Sequence, residues 1–285
     1  TTITVPHDAP NTLYYYCTSH SGMGADITGI TTNEKLADQY ASNCTLAIPF
    51  AGNKEDVSAS IACTSTTGDV SNTNAVSSNA SSNYYSRSWY FDASGDYLTV
   101  PYSADSFNFG TGDFTVEAYV NQLARANYTA IISSTNTSIN VTNHWTLGYS
   151  NTSDMLSFKL GSGGSSAVTA NFSAHYGKWS HVAATRESGT IRLFFDGQEV
   201  ASATDTSSLT GDTGNAVKIG QRYTNQDAYS FNGYMSDLRV YKGVAKYTSN
   251  FVPAAASPDI LPDTPSGVSG SSKLTKIIDG AVYFD

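Results

Sequence analysis

The sequence predicts an all-β chain folded as an antiparallel sandwich of two sheets. Three observations carry this. From Tyr90 to Phe251 the chain is a succession of short segments in which apolar and polar residues alternate, as in GDFTVEAYV, KWSHVAATR and GTIRLFFDGQEV. That period of two is how a half-buried strand is written. Each segment ends in Gly, Asp, Asn or Ser, the residues that turn a chain. No apolar pattern of helical period runs beyond about three turns.

In chain order, residues 1–32 read as strand, Pro-marked turn, strand, Gly-containing loop and strand. Residues 33–42 (NEKLADQYAS) have a polar, helix-forming composition and form a linker. The body then spans 43–253, opening on the strand NCTLAIPF. Residues 64–83 are almost wholly Thr, Ser, Asn, Gly and Asp and predict a loop or polar edge strands. Asp196-Gly197 between LFF and QEV is a two-residue hairpin signal. Phe194, Phe195, Leu238 and Val240 are core candidates, as is Trp179, whereas His181 reads as a satisfied sheet histidine. Arg186 is placed to pair with Glu117 or Asp237. Residues 254–279 form an extended tail rich in Pro, Ala and Ser, and GAVYFD at 280–285 echoes SWYFD at 88–92. The echo predicts the start of a second repeat or an exchanged strand.

Charged residues are 14% of the 285, against about 25% in an average protein. Solubility rests instead on hydroxyls and amides, a composition suited to extracellular β proteins and virion fibres. The net charge of −9 and the lack of a basic track argue against nucleic-acid binding. No run approaches the about 20 apolar residues of a membrane span. Three cysteines are an odd number; Cys44 and Cys63 are candidates for a disulfide as strand neighbours, leaving Cys17.

Five motifs in order carry a family resemblance: Phe91 to Leu98 (FDASGDYL), Gly112 to Tyr119 (GDFTVEAY), Trp179 to Ala183 (WSHVA), Arg186 with Leu193 to Gly197, and Gly233 to Tyr241 (GYMSDLRVY). Together they resemble the laminin-G-like, concanavalin-A-like (pentraxin-type) jelly-roll sandwich, and GVAKYTSNF after the last motif looks like its phage versions. The resemblance implies a binding or scaffolding role more than catalysis. It also implies a calcium ion held by loop oxygens, for which Asp92, Asp96 and Asp237 are the candidates. A glycan site would use rings and amides: Trp145, Tyr223 and Tyr229 to stack on sugars, Arg222, Asn225 and Asp227 to bond their hydroxyls. The alternative reading of Trp145 is core packing.

Cys17-x-x-His20-x-x-Met23, after Tyr14-Tyr15-Tyr16, resembles the ligand loop of cupredoxins and implies copper held by thiolate, imidazole and thioether. That family's other histidine comes from a strand well upstream, and 32 residues cannot build its barrel. Residues 1–32 therefore read as a cupredoxin-like C-terminal fragment, with the same three side chains open to a structural role.

Catalysis finds little support. A retaining glycosidase needs two carboxylates about 5 Å apart, and Glu117 has no second acid two or four residues on. Neither G-x-S-x-G nor H-E-x-x-H occurs. The expectation is a non-enzymatic phage virion protein, a tail-fibre, horn or capsid-attached component in the virion or extracellular space. Its partners would be other virion proteins or copies of itself, and cell-surface polysaccharide. A secreted carbohydrate-binding module, a glycoside hydrolase on the same sandwich and a copper redox module are the alternatives.

Overall fold

The computed structural model describes residues 13–16, 24–27, 40–48, 50, 70–83, 87–124, 129–134, 143–149, 154–160, 166–211, 216–222, 230–251 and 253. The strands are β1 (Leu13–Tyr16), β2 (Gly24–Ile27), β3 (Cys44–Ile48), β4 (Ser71–Thr73), β5 (Val76–Ser78), β6 (Ser88–Asp92), β7 (Tyr97–Val100), β8 (Phe114–Gln122) and β9 (Ala130–Ser133). They continue as β10 (Trp145–Tyr149), β11 (Met155–Leu160), β12 (Ser166–Asn171), β13 (Ser180–Glu187), β14 (Thr190–Phe195), β15 (Gln198–Thr204), β16 (Val217–Ile219) and β17 (Asn232–Lys242). The one α-helix among the described residues is a single turn, α1 (Ala104–Phe107).

β1 and β2 pair as an antiparallel hairpin. The remaining strands form two antiparallel sheets, one in the order β12-β11-β10-β9-β16-β7-β4 and one in the order β15-β14-β13-β8-β17-β6-β5, with β3 added against β17. This is the all-β sandwich that the alternation predicts. The segment YFDASGDYLTV is not one strand, however. Its first half is β6 in the eight-stranded sheet and its second half β7 in the seven-stranded sheet. The chain changes layer between them at Ala93 (φ 71°) and Gly95 (φ 77°). The polar stretch within 70–83 supplies β4 and β5, three-residue strands at the edge of each sheet.

The core lies between the sheets. One strand parity supplies it: Trp89 and Phe91 from β6, Val116, Ala118 and Val120 from β8, Val182 and Ala184 from β13. At its centre four rings stack, with centroids 4.7 Å apart for Phe109–Phe114, 4.9 Å for Phe109–Trp145 and 5.0 Å for Phe114–Phe158. Each such side chain contributes about 1.5–3 kcal/mol by leaving water. Arg186 enters this layer too, and not as an ion pair. Its guanidinium donates to the carbonyls of Gly110, Gly112 and Ser207 at 2.6–2.9 Å. It thereby satisfies buried backbone oxygens where the chain enters β8.

β8 and β13 are buried on both faces, because the chain after β17 returns across the outward side of the eight-stranded sheet. This strap is pinned along its length. Thr115 Oγ1 accepts from Lys246 N at 2.9 Å and donates to Val244 O at 3.0 Å. Thr185 Oγ1 donates to Tyr247 O at 2.9 Å, and Phe251 N to Gly197 O at 2.8 Å. Gly197 follows Asp196 at the β14–β15 hairpin, with φ values of 47° and 79°, the left-handed pair of a tight turn. A Cβ on Gly197 would overlap the Phe251 carbonyl. Gly197→Ala is expected to cost about 2–3 kcal/mol in urea unfolding and to speed amide exchange at Phe251. Gly177→Ala, at φ 71° with open space around it, should lose only about 1 kcal/mol.

Cys44 is buried, with its Sγ 3.4 Å from Leu46 O; Cys63, its candidate disulfide partner, lies outside the described residues.

Candidate functional site

Because alternate residues of a strand face opposite ways, the parity that leaves Trp89, Phe91 and Met235 in the core turns Tyr90 and Tyr234 outward. Register aligns them. Val76 of β5 faces Tyr90 of β6, Tyr90 faces Tyr234 of β17, and Tyr234 faces Asn121 of β8. Val120 faces Ser180, so Trp179 continues the row. The outward side of the eight-stranded sheet thus carries Val76, Tyr90, Tyr234, Asn121 and Trp179 side by side. Neighbouring strands lie about 4.8 Å apart, so the row is a continuous band.

The band is apolar in its rings and polar in its fixtures. Tyr90 and Tyr234 are partly buried, with centroids 4.9 Å apart and planes tilted by 38°. Trp179 is partly buried, and its indole N–H donates to Ser81 Oγ at 3.0 Å. Asn121 Nδ2 donates to the same oxygen at 3.3 Å. Ser81 therefore holds both side chains in place. Asn121 Oδ1 and Asn83 Nδ2 are buried without a hydrogen-bond partner, leaving an acceptor and a donor of this neighbourhood to a ligand or water. Burial, Tyr234 and the carboxylates of Asp92 and Asp96 raise the Tyr90 phenol above its ordinary value, so it remains an O–H donor. Val76, 52% exposed, and Leu123, 44% exposed, border the band. Rings presenting faces next to amides and hydroxyls are suited to stacking on sugars while bonding their hydroxyl groups.

The other half of this face is closed by the strap and holds a buried polar cluster. Glu117 sits at its centre. Lys246 Nζ donates to Glu117 Oε1 at 2.7 Å, Tyr247 O–H to Oε2 at 2.7 Å, and His181 Nε2 lies 3.1 Å from Oε2. A carboxylate there requires the proton on Nε2, since it can only accept. Lys246 also reaches Tyr241 Oη at 3.1 Å. A β-bulge in β17 brings Arg239 into this group. The register slips by one residue between Ser236 and Arg239, and Asp237 takes up the extra residue at φ 53°. Its Oδ1 accepts from Arg239 Nε at 2.9 Å and Nη2 at 2.8 Å. Phe194, Tyr247 and Phe251 roof the cluster, the last two stacked with centroids 3.5 Å apart.

These positions revise the residues expected from sequence. Trp145 is 0% exposed, and its indole N–H donates to Phe107 O at 3.0 Å. It is a core residue and offers no face to a sugar. Trp179, expected in the core, is instead the outward ring. Phe194 lies under the strap and not between the sheets. Arg222 is buried; Tyr223, Asn225, Asp227 and Tyr229 lie outside the described residues, as do Cys17, His20 and Met23. Asp92, Asp96 and Asp237 do not share a rim. Asp92 faces Asn232, and Asp237 is five residues further along β17, about 16 Å away at strand rise. Asp237 is taken up by Arg239, while Asp96 Oδ2 accepts from Asp92 N at 2.8 Å and braces the β6–β7 turn. Among the described residues no three His, Cys, Asp or Glu side chains are grouped to hold a metal ion.

Solved structures share this architecture. Domain 4 of AbnA, a GH43 extracellular arabinanase from Geobacillus stearothermophilus solved in complex with arabinotriose, aligns with a TM-score of 0.51 at 14% identity, over 70% of this chain and 93% of that domain. The binding domain of Paraclostridial Mosquitocidal Protein 1 aligns with a TM-score of 0.53 at 12% identity, over 73% of this chain and 51% of that one. The binding domain of botulinum neurotoxin DC, solved with rat synaptotagmin II, aligns at 0.50 and 14% identity, over 72% and 50%. The chain spans about half the length of these toxin binding domains, and at such identities the likeness is one of fold. No curated protein matches the sequence. The Laminin_G_3 family, described as the concanavalin A-like lectin/glucanases superfamily, matches residues 92–246, from the end of β6 through the first part of the strap. Two antiparallel sheets, a jelly-roll core and this match together make the chain a member of the concanavalin A-like lectin/glucanase superfamily.

Proposed function

We propose that the chain is a non-enzymatic carbohydrate-binding and scaffolding module, exposed on a phage virion as a fibre, horn or capsid-attached component, that takes cell-surface polysaccharide on the outward band of its eight-stranded sheet. The observation that carries the binding reading is the row Tyr90, Tyr234, Asn121 and Trp179, held by Ser81 and left open by the strap. That domain 4 of the arabinanase was solved in complex with arabinotriose supports saccharide as the ligand class. The virion setting rests on the Ser-, Thr- and Asn-rich, charge-poor composition and on the phage-like sequence of the strap. Its partners there are other virion proteins or copies of this chain. The non-enzymatic reading rests on Glu117, the one acid on the central strand β8, being engaged by Lys246, His181 and Tyr247.

Affinity electrophoresis of the whole chain through gels containing arabinan, xylan, galactan or host-cell polysaccharide tests this. Retardation in at least one gel, without release of reducing sugar from it, is the expected result. Unchanged mobility in every gel overturns glycan binding, and sugar release overturns the non-enzymatic reading.

A further inference from the structure

Beyond the strap, the outward side chains of the eight-stranded sheet form two parallel rows. Beside the ring-bearing row, Asp92 of β6 faces Asn232 of β17, whose carbonyl accepts from Leu123 N just past β8. On the other side of the rings the chain after β5 lies over the sheet. Ser88, Tyr90 and Asp92 share one face of β6, and Ser88 Oγ donates to Ser81 O at 2.5 Å. Ser81 Oγ takes the bonds from Trp179 and Asn121 described above. Ser81 therefore stands on the Ser88 side of Tyr90, and Asp92 on the opposite side. The rings form the floor of a trough with a polar wall along each side.

The trough is reachable along its length. Val76, Leu123 and Asp92 are exposed, and the three rings, Ser81 and Asn232 are partly exposed. Asn121, 8% exposed, is the low floor between Tyr234 and Trp179. The trough runs across the strands, so its repeat is the strand spacing, about 4.8 Å. The Tyr90 and Tyr234 centroids, 4.9 Å apart, keep that repeat. A pyranose chain joined through equatorial bonds at C1 and C4 stays extended, and each unit advances it by about one such spacing. Each unit then meets the next strand. Its C–H face lies over the floor while its equatorial hydroxyls point sideways to Ser81, Asp92 and Asn232. Axial linkage curls a chain, and linkage of furanose units through an exocyclic carbon lengthens its repeat, so neither keeps step with the strands. Tyr90 to Tyr234 to Asn121 to Trp179 is three strand intervals, or roughly 14 Å, the span of four such units from first centre to last.

We infer that this trough takes an extended chain of β-1,4-linked pyranose units laid across the strands, with four units filling it from Tyr90 to Trp179. This rests on the reading of the chain as a saccharide binder and adds the linkage, direction and length of what it binds.

The test is calorimetric titration of the whole chain with cello-, xylo- and manno-oligosaccharides of two to six units. Maltohexaose and a linear arabinohexaose serve as the axially linked and furanose comparisons. At least one of the three β-1,4 series should gain at least tenfold in affinity from two units to four and change less than twofold from four to six. Both comparison hexasaccharides should bind at least tenfold more weakly than the tetramer. In Tyr90→Ala, which removes the end ring, the gain from the third unit to the fourth should vanish while the trimer still binds, whereas a damaged fold would lower every length alike. A gain complete at two units, a gain that continues to six, or equal affinity for either comparison hexasaccharide overturns the assignment and leaves glycan binding standing. So does retardation by a polysaccharide gel with no binding in any of the three series, or a Tyr90→Ala length profile identical to that of the wild type. Unchanged mobility in every gel removes the binding reading itself, and the assignment with it.

Discussion

Glu117→Ala is expected to be the most destabilising single substitution outside the inter-sheet core, lowering the unfolding free energy by about 3–5 kcal/mol. The side chains of Glu117 and Lys246 are 6% and 9% exposed. Deleting the carboxylate leaves a buried ammonium facing Tyr241, a histidine N–H and a phenol without their common acceptor. For a body of about 200 residues this amounts to a fall in Tm of roughly 10 °C. The strap should loosen first, because Lys246 and Tyr247 belong to it, so amide exchange should rise at 244–251 before it rises in β8. The double variant Glu117→Leu with Lys246→Met removes both charges together and should recover at least half of the loss. If the single and double variants lose the same stability, the ion pair is not what holds the strap.

The same carboxyl sets the acid limit. Burial pushes its titration up, but Lys246, His181 and Arg239 more than reverse this and hold it well below its ordinary 4.5. Its folded value therefore lies under its unfolded value. The unfolded chain takes up the proton first, so the stabilisation is complete above about 4.5 and disappears as pH falls through the depressed folded value. Urea midpoints measured from pH 6 down to 2.5 should fall over that acid range in the wild type. In Glu117→Gln the fall should be shallower.

Tyr234→Ala is expected to weaken binding to whichever neutral polysaccharide retards the wild type by about tenfold, or 1.4 kcal/mol. Tyr234 is central in the band, in contact with Tyr90 and beside Asn121, the position where aromatic anchors of a binding surface concentrate affinity. Trp179→Ala removes the ring at the far side of Asn121 and should act similarly. With both gone, binding should be undetectable by affinity electrophoresis. Tyr234 faces outward, so its loss should cost far less stability than Glu117→Ala. Trp145→Phe gives the contrast. It removes the buried indole bond to Phe107 O and should lower stability while leaving the affinity of the folded fraction unchanged.

The sandwich was legible because β8, β13 and the β14–β15 hairpin are long, alternating and bounded by turn residues, so local pattern and tertiary position agree. The faces were harder. In KWSHVAATR, Trp179 shares parity with His181 and opposes the core residue Val182, so its outward direction was already present in the strand. Aromatic bulk alone argued the other way. Trp145 has the same bulk and the opposite fate, since WTLGY puts Trp145 and Leu147 together on the core side. The Glu117 cluster was beyond local reading. Lys246 and Tyr247 are 129 and 130 residues from Glu117 in the chain, and only the return of the strap across the sheet brings them together. Nor does alternation announce the bulge at Asp237. It turned a supposed calcium ligand into the partner of Arg239.

The short strands β4 and β5 carry a consequence for crowding. Among the described residues, one border of each sheet is a strand of only three residues, SNT in β4 and VSS in β5, too short to template another strand. A border this brief gives an approaching molecule almost no ladder to extend. Many copies held at high local density, as on a particle surface, can therefore lie shoulder to shoulder along that border without zipping into a common sheet.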